Sequence, residues 1–174
     1  MFKDLVLFNG ESRFAKELDI DYVINTKIIE KAQELKNAKF PTIFKGDIDL
    51  IRKLIETKKV NIIVDSELNS YKDNLNFRNS GLNQVICRLA SKNNVSICFN
   101  FNSVLRSNSL NRAKILGRMM QNIKLCRKYK VKMILSSLAA NEYELRSKDA
   151  LKSFGIIIGM NPKEAKDAVE YQFK

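Results

Sequence analysis

Short apolar runs that alternate with helical patterns constrain this chain more than any other feature. DLVLF (4–8), YVIN (22–25), TIF (42–44), VNIIVD (60–65), VSICFNF (95–101) and KMILSSL (132–138) read as strands, several of them apolar on both faces. Helical patterns fall between them at 27–37, 47–59, 81–93 and 109–130. Strand–helix alternation with short connections predicts βα units around a parallel sheet. A doubly wound sheet and a (β/α) barrel share this pattern, and periodicity does not choose between them. At 174 residues the chain suits one domain, 1–174, with a sizeable core.

The helix over 81–93 is well specified. Leu82, Val85, Ile86, Leu89 and Ala90 form one apolar stripe, with Gln84, Arg88, Ser91 and Lys92 opposite. Ser80 reads as its N-cap, Gly81 as a close backbone approach and Asn83 as a local hydrogen-bonding residue. The helix over 109–130 reads with Ala113, Leu116, Met119, Met120, Ile123 and Cys126 inward. Lys114, Arg118, Gln121, Lys124 and Lys128 fall on the far side. Residues 68–77 (LNSYKDNLNF) read as a polar loop over one end of the sheet. Further on, Ser147 caps one helix, while NPKEAKDAVEYQF carries Asn161 as cap, Pro162 at the first position and Glu164 at the third. GIIIG (155–159) reads either as a strand or as a continuation of the helix before it.

Charge is distributed unevenly. The net charge is +12. Residues 1–73 hold 13 basic and 13 acidic side chains, and residues 142–174 hold six of each. Residues 74–141 hold 12 basic side chains and no acid, so this segment carries the whole excess. A solvated surface normally mixes both signs. An acid-free segment points instead to a polyanion: nucleic acid, an anionic membrane or an acidic protein. Within it the far-side cations of 109–130 have no neighbouring Glu with which to form i,i+4 pairs.

Other residue types close off chemistry. The chain has no histidine, which excludes Ser-His and Cys-His nucleophiles and His-based metal centres. Cys87, Cys98 and Cys126 are widely spaced among apolar neighbours and read as buried small hydrophobes. The N-terminal run is broken early by Asp4, unlike a signal peptide, and no run approaches the ~20 apolar residues of a membrane span. The expectation is a soluble, cytoplasmic protein with no membrane partner. G-x-G-x-x-G and G-x-x-x-x-G-K-[ST] loops are missing, which weakens a nucleotide-binding reading. Asp65 and Glu67, at the end of VNIIVD, are the best carboxylates for a barrel phosphoesterase, since barrel active sites lie at strand C-termini. Two acids alone could at most help hold a Mg²⁺.

Three stretches together resemble a known family: RNSGLNQVICRLASKNNVSICFNF, NRAKILGRMMQNIKLCRKYKV and SSLAANEYELRSKDALKSFGIIIGMNPKEAKDAV. They are similar to ribonuclease P protein component 3, an archaeal and eukaryotic family related to the PHP (polymerase and histidinol phosphatase) fold. The similarity runs in register from about Asn61 to Val169, with R-x-S-G-L-N, L-C-R-K-Y-K and E-L-R-S as its most specific segments. It implies an α/β, TIM-barrel-like (β/α) barrel and places GIIIG in a helix. It implies a non-catalytic subunit that binds the catalytic RNA of ribonuclease P, pairs with component 2 and the other protein subunits, and supports removal of 5′ leaders from precursor tRNA. The chain is short for the family, which leaves room for a reduced barrel. The family's metal phosphoesterase cousins use histidines that this chain lacks, in keeping with a chain inactive alone, with no catalytic residues, metal or cofactor.

On this reading Arg78, Ser80, Arg88, Arg106, Arg112, Lys114, Arg118, Arg127, Lys128 and Arg146 are the expected RNA contacts. Cations would neutralise phosphates while hydroxyls, amides and helix N-termini fix register. Arg78 stands beside free N–H groups that suit a phosphate. Structural readings compete: Arg146 has Glu142 at i−4 and could brace its own turn, a distant acid could reach Arg118, and Tyr129 and Phe77 could be core residues. The alternatives for the whole chain are a PHP-like phosphoesterase and a scaffold for an acidic protein.

Overall fold

The computed structural model describes residues 2–9, 13–69 and 71–171. Its strands are β1 (Lys3–Val6), β2 (Tyr22–Asn25), β3 (Ile28–Ile29), β4 (Ile43–Phe44), β5 (Ile62–Val64), β6 (Ser96–Asn100) and β7 (Met133–Ser136). Every pairing between them is parallel. Its α-helices are α1 (Arg13–Glu17), α2 (Ile48–Glu56), α3 (Gln84–Lys92), α4 (Phe101–Leu105), α5 (Ser109–Tyr129), α6 (Lys148–Ile157) and α7 (Pro162–Val169).

The strands form one sheet in the order β3-β4-β5-β6-β7 and a second pair, β1-β2. Only Thr26 and Lys27 separate β2 from β3, so one bent run pairs first with β1 and then with β4. At the other end β7 meets β1. Val6 bridges Ala139 in parallel, and the Leu7 amide donates to the Ala139 carbonyl at 2.8 Å. The Asp4 carboxylate accepts from the Ser136 hydroxyl at 2.7 Å and the Ser137 amide at 2.9 Å. The circuit is TIM-barrel-like, with seven short strands among the described residues rather than the eight full ones of a complete barrel.

Packing supports the same architecture. Leu5, Ile24, Ile28, Ile43, Ile62, Val64, Cys98 and Ile134, at least one from every strand, meet in a core of their own. Their strand neighbours, such as Ile97 and Phe99 beside Cys98, belong instead to the layer beneath the helices. That alternation is what a sheet with its inner face curled on itself requires. It favours a barrel-like arrangement over a doubly wound sheet.

Most elements lie where the sequence places them. The first exception is 27–37, which is not an α-helix. Ile28 and Ile29 pair with Ile43 and Phe44 as β3, and only Ala32–Asn37 winds, as a 3₁₀ turn. The pull of β4 outweighs a weak local helical pattern. GIIIG begins inside α6, which Ser147 caps by accepting from the Ala150 amide. The Asn161–Glu164 capping box is formed in full. All three cysteines are buried. Among the described residues no helix is long and apolar enough to cross a membrane.

Candidate nucleic-acid interface

The positive ends of three consecutive helices carry no acid. Asn83, Asn100 and Asn108 cap α3, α4 and α5, each side chain accepting from a backbone amide in the first turn. Asp would do the same capping and add a charge that offsets the helix dipole. Asn satisfies the amides without adding charge, so the first turns of α3 and α5 hold no carboxylate of their own, while at α4 Asp65 approaches from the end of β5. The acid-free composition of 74–141 is thus kept even where an acid would be structurally favourable.

Asn83, and not Ser80, caps α3. Its carboxamide accepts from the Ile86 amide at 2.9 Å, which starts the helix at Gln84. Ser80 is 1% exposed. Its amide donates to the Arg78 carbonyl, its hydroxyl accepts from Gln121 Nε2 at 2.9 Å, and its carbonyl accepts from Asn122 Nδ2 at 3.0 Å. With these partners the Ser80 hydroxyl is part of the loop's internal wiring rather than a free phosphate donor. Gly81 does make the expected close approach. Its φ is +79°, and a Cβ there would overlap the Ser66 carbonyl.

Arg118 also leaves the RNA-contact set. It is 1% exposed. Its Nε and Nη2 meet Asp73 Oδ1 at 2.9 and 2.8 Å, and its remaining N–H groups donate to the carbonyls of Glu67, Asn69 and Tyr71. The distant acid that the sequence left open stands one residue before the acid-free segment. The buried side of α5 comprises Ile115, Arg118, Met119, Asn122, Ile123 and Cys126, while Ala113 and Met120 are exposed. Two polar side chains with buried partners rotate this face away from the apolar stripe. Partial burial raises the Asp73 carboxyl, but the Arg118 hydrogen bond, the Asn79 amide and nearby positive charge hold it below its ordinary value.

Other arginines are engaged in holding elements together. Arg106 makes a two-pronged contact with Glu144, and Arg127 does so with Glu164. Arg112 donates to the Val104, Leu105 and Ser107 carbonyls, closing the end of α4. Arg146 donates to the Tyr143 and Leu145 carbonyls and lies over the Phe101 ring at 5.1 Å. Their exposed edges can still meet a phosphate, but each already has a structural role.

What remains is a strip along α3 and α5. Lys114, Gly117, Gln121, Lys124 and Lys128 recur at helical spacing on one side of α5. The Arg78 guanidinium lies across Gly117, where a Cβ would stand 2.6 Å from Arg78 Cζ. Gln121 fixes the Arg78 backbone from both sides, accepting from its amide at 3.0 Å and donating to its carbonyl at 2.6 Å. Farther along, Arg88 and Lys128 lie 5.5 and 5.7 Å from the centre of the Tyr129 ring. Among the described residues none of Arg78, Arg88, Lys114, Lys124 and Lys128 makes an ion pair. Lys124 belongs with the RNA-contact candidates, and its place in the basic stripe was the available signal. Gly117 as a bed for Arg78 had no sequence signal.

Asp65 and Glu67 do not form an open acidic site. Asp65 is 7% exposed and accepts from Asn100 Nδ2 at 3.1 Å and from the Ser103 hydroxyl. Glu67 is 1% exposed, with one oxygen near the Ser66 hydroxyl and the other without a hydrogen-bond partner. Burial, reinforced by the Asp65 charge, pushes its pKa up to about 8. Among the described residues no cluster of three metal-ligating side chains is present.

The RNase P subunit p30 family model matches residues 46–174. The chain belongs to the RNase P subunit p30 family. Ribonuclease P protein component 3 of Methanococcus maripaludis is 34% identical over 109 residues, covering 63% of this chain and 44% of that protein. The Methanosarcina mazei protein of the same name is 36% identical over 92 residues, or 53% of this chain and 38% of its own. That of Methanocaldococcus jannaschii is 28% identical over 146 residues, covering 83% and 60%. The chain therefore spans less than half the length of the M. maripaludis and M. mazei relatives. A chain in the cryo-EM structure of archaeal ribonuclease P with mature tRNA superposes with a TM-score of 0.72 at 23% identity, covering 98% of this chain and 78% of that one. This shared fold agrees with the barrel-like circuit of the p30 family member described above.

Proposed function

We propose that the chain is a non-catalytic protein subunit of ribonuclease P that binds the catalytic RNA and supports removal of 5′ leaders from precursor tRNA. One observation carries this reading: the α3/α5 strip sets Arg88 on α3, Lys124 and Lys128 on α5, and Arg78 on the loop that Gln121 ties to α5, none of them with a carboxylate partner among the described residues. Surface cations usually sit among acids, whereas a phosphate-binding face needs them unneutralised. RNA helices are held mainly by shape, phosphates and 2′-hydroxyls, which suits a positively charged face without a deep pocket. Relatives of the p30 family carry the matching name. The enclosed Asp65 and Glu67 favour this reading over a phosphoesterase. Residues 1–174 act as one domain that pairs with component 2 and the other protein subunits. Three free thiols suit the reducing cytoplasm.

The test is reconstitution with a ribonuclease P RNA and the other protein subunits. The chain should stimulate precursor-tRNA cleavage, and its RNA affinity should fall steeply with salt. Combined Ala substitution of Arg78, Arg88, Lys124 and Lys128 should abolish the stimulation. An unchanged salt dependence in that variant would reject the strip. Turnover of a phosphodiester by the chain alone with Mg²⁺, lost in Asp65→Ala, would reject the non-catalytic assignment.

A further inference from the structure

The loop before α3 presents apolar surface to solvent from an unusually well-braced frame. Tyr71 is 52% exposed and Phe77 is 55% exposed. Neither is a core residue. A groove of about 480 Å³ lies beside them, lined also by Ile48, Gln121, Leu125 and residues 78–83. Its volume falls in the range of about 300–1,000 Å³ typical of small-ligand sites. Arg78 stands on its wall, fixed through Gln121 and Gly117.

The frame is held at many points. Buried Arg118 takes the Glu67, Asn69 and Tyr71 carbonyls and the Asp73 carboxylate. Asp73 also accepts from the Asn79 amide at 2.9 Å, and Asn69 Nδ2 donates to the Ser66 and Asn79 carbonyls. The Asn74 amide donates to the Phe77 carbonyl at 2.9 Å. A loop serving only as a connection needs no such bracing, and exposed aromatics would then carry only a solvation cost. Rigid aromatics beside a fixed arginine are how single-stranded nucleic acid is gripped: bases stack on the rings and the phosphate meets the cation.

We infer that this groove binds one unpaired RNA nucleobase, stacked on Tyr71 and Phe77, with its phosphate at Arg78. The inference rests on the RNA-binding reading above and goes beyond it, since the α3/α5 strip alone recognises backbone and accepts any duplex. Charge decides the occupant. Among the described residues Arg78 pairs with no carboxylate, and the segment 74–141 that supplies most of the groove has no acid. An apolar segment of a protein partner would have no use for an unneutralised arginine at the rim.

The test compares a short single-stranded oligoribonucleotide carrying 2-aminopurine, the same strand with an abasic site, and a matching duplex, each titrated into the full chain. Stacking should change 2-aminopurine fluorescence, and the abasic strand should bind more weakly. Phe77→Ala and Tyr71→Ala should each weaken single-strand binding about five- to a hundredfold, leaving the salt slope and duplex affinity unchanged. Both side chains are largely exposed, so thermal melting should be unchanged. If both variants bind the single strand as the parent does, the inference fails while RNA binding stands. If neither RNA form binds the parent chain, the RNA-binding reading fails as well.

Discussion

The Arg118 guanidinium, in the middle of α5, lies 2.8 Å from the Asp73 carboxylate across a sequence gap of 45 residues. The same side chain holds the carbonyls of Glu67, Asn69 and Tyr71 on the loop after β5. One buried residue thus ties the C-terminal end of β5 to the longest helix. It makes the loop before α3 part of the frame.

Removal of this tie should be costly. Arg118→Met leaves three carbonyls without their charged donor, a loss of roughly 3–5 kcal/mol at about 1–3 kcal/mol for each bond. Arg118→Lys should recover little, because an ammonium cannot reproduce the planar fork that reaches all four partners. Asp73→Asn should cost less, since Asp73 is partly exposed and the bonds to the carbonyls survive. Urea unfolding of the three variants gives the order, and a ranking with Asp73→Asn as the worst would refute the role assigned to Arg118.

Glu67 makes stability depend on pH. Its folded pKa, about 8, lies above the ordinary value of 4.5 because its carboxyl is buried. The folded state therefore holds a proton that the unfolded chain releases. This contribution is fully present below about pH 4.5 and is lost as pH rises through about 8. Burial raises Asp4 in the same direction. Glu67→Gln keeps the shape without the charge, so it should be more stable than the parent at pH 9 by a few kcal/mol. Chemical denaturation between pH 5 and pH 9, on the order of that pKa span, should show a flatter profile in the variant. Equal slopes would show that Glu67 is not the titrating group.

Gly81 tests the frame from the backbone side. Gly81→Ala forces a side chain into a left-handed conformation and against the Ser66 carbonyl. The loss should be at least about 2 kcal/mol, combining backbone strain with overpacking. Its measure is the midpoint of thermal unfolding; an unchanged midpoint would mean that the close approach is not present in solution.

The strands and the α3 helix were legible because their patterns are local: β-branched runs for β5 and β6, and an apolar stripe for α3, of which Ile86 and Ala90 are buried while Val85 is exposed and Cys87 is buried beside them. β3 was not, because two residues contain no period and Ile28–Ile29 pair only because β4 is beside them. The proposed interface was half legible. The acid-free segment contains the α3/α5 strip of cations without ion pairs, but Arg118 and Ser80 look the same in sequence as surface residues. Their partners, Asp73 and Gln121, lie more than 40 residues away. Arg106 and Arg127 were likewise claimed by Glu144 and Glu164, acids from the balanced C-terminal segment. Charge composition locates a face. Which of its cations are free is a matter of tertiary structure.

Those pairings separate structural arginines from those of the proposed RNA-binding strip. Arg88→Ala and Lys128→Ala should reduce RNA affinity and lower the salt slope by roughly 0.7–0.9 for each phosphate that is no longer neutralised. Arg127→Ala should act mainly on stability, by about 1 kcal/mol, because its partner Glu164 is largely covered and the pairing is two-pronged. The two classes exchange places if the strip is not the interface. Salt titrations of RNA binding, run beside thermal melts, distinguish them.

Gly117 offers the sharpest separation of the two properties. In the interior of α5, Gly117→Ala should favour the helix by roughly 0.5–1 kcal/mol. The new methyl group would meet the Arg78 guanidinium, the flexible end of a side chain that can move without disturbing the backbone. Gln121 would still hold the Arg78 backbone, so the loop should stay in place while the cation leaves its bed. The expected variant is therefore as stable as the parent or more so, yet binds RNA several-fold more weakly. Few substitutions raise stability and lower affinity together, and a destabilised variant would indicate overpacking instead. If Gly117→Ala bound RNA as tightly as the parent, the position of Arg78 on α5 would have no part in recognition.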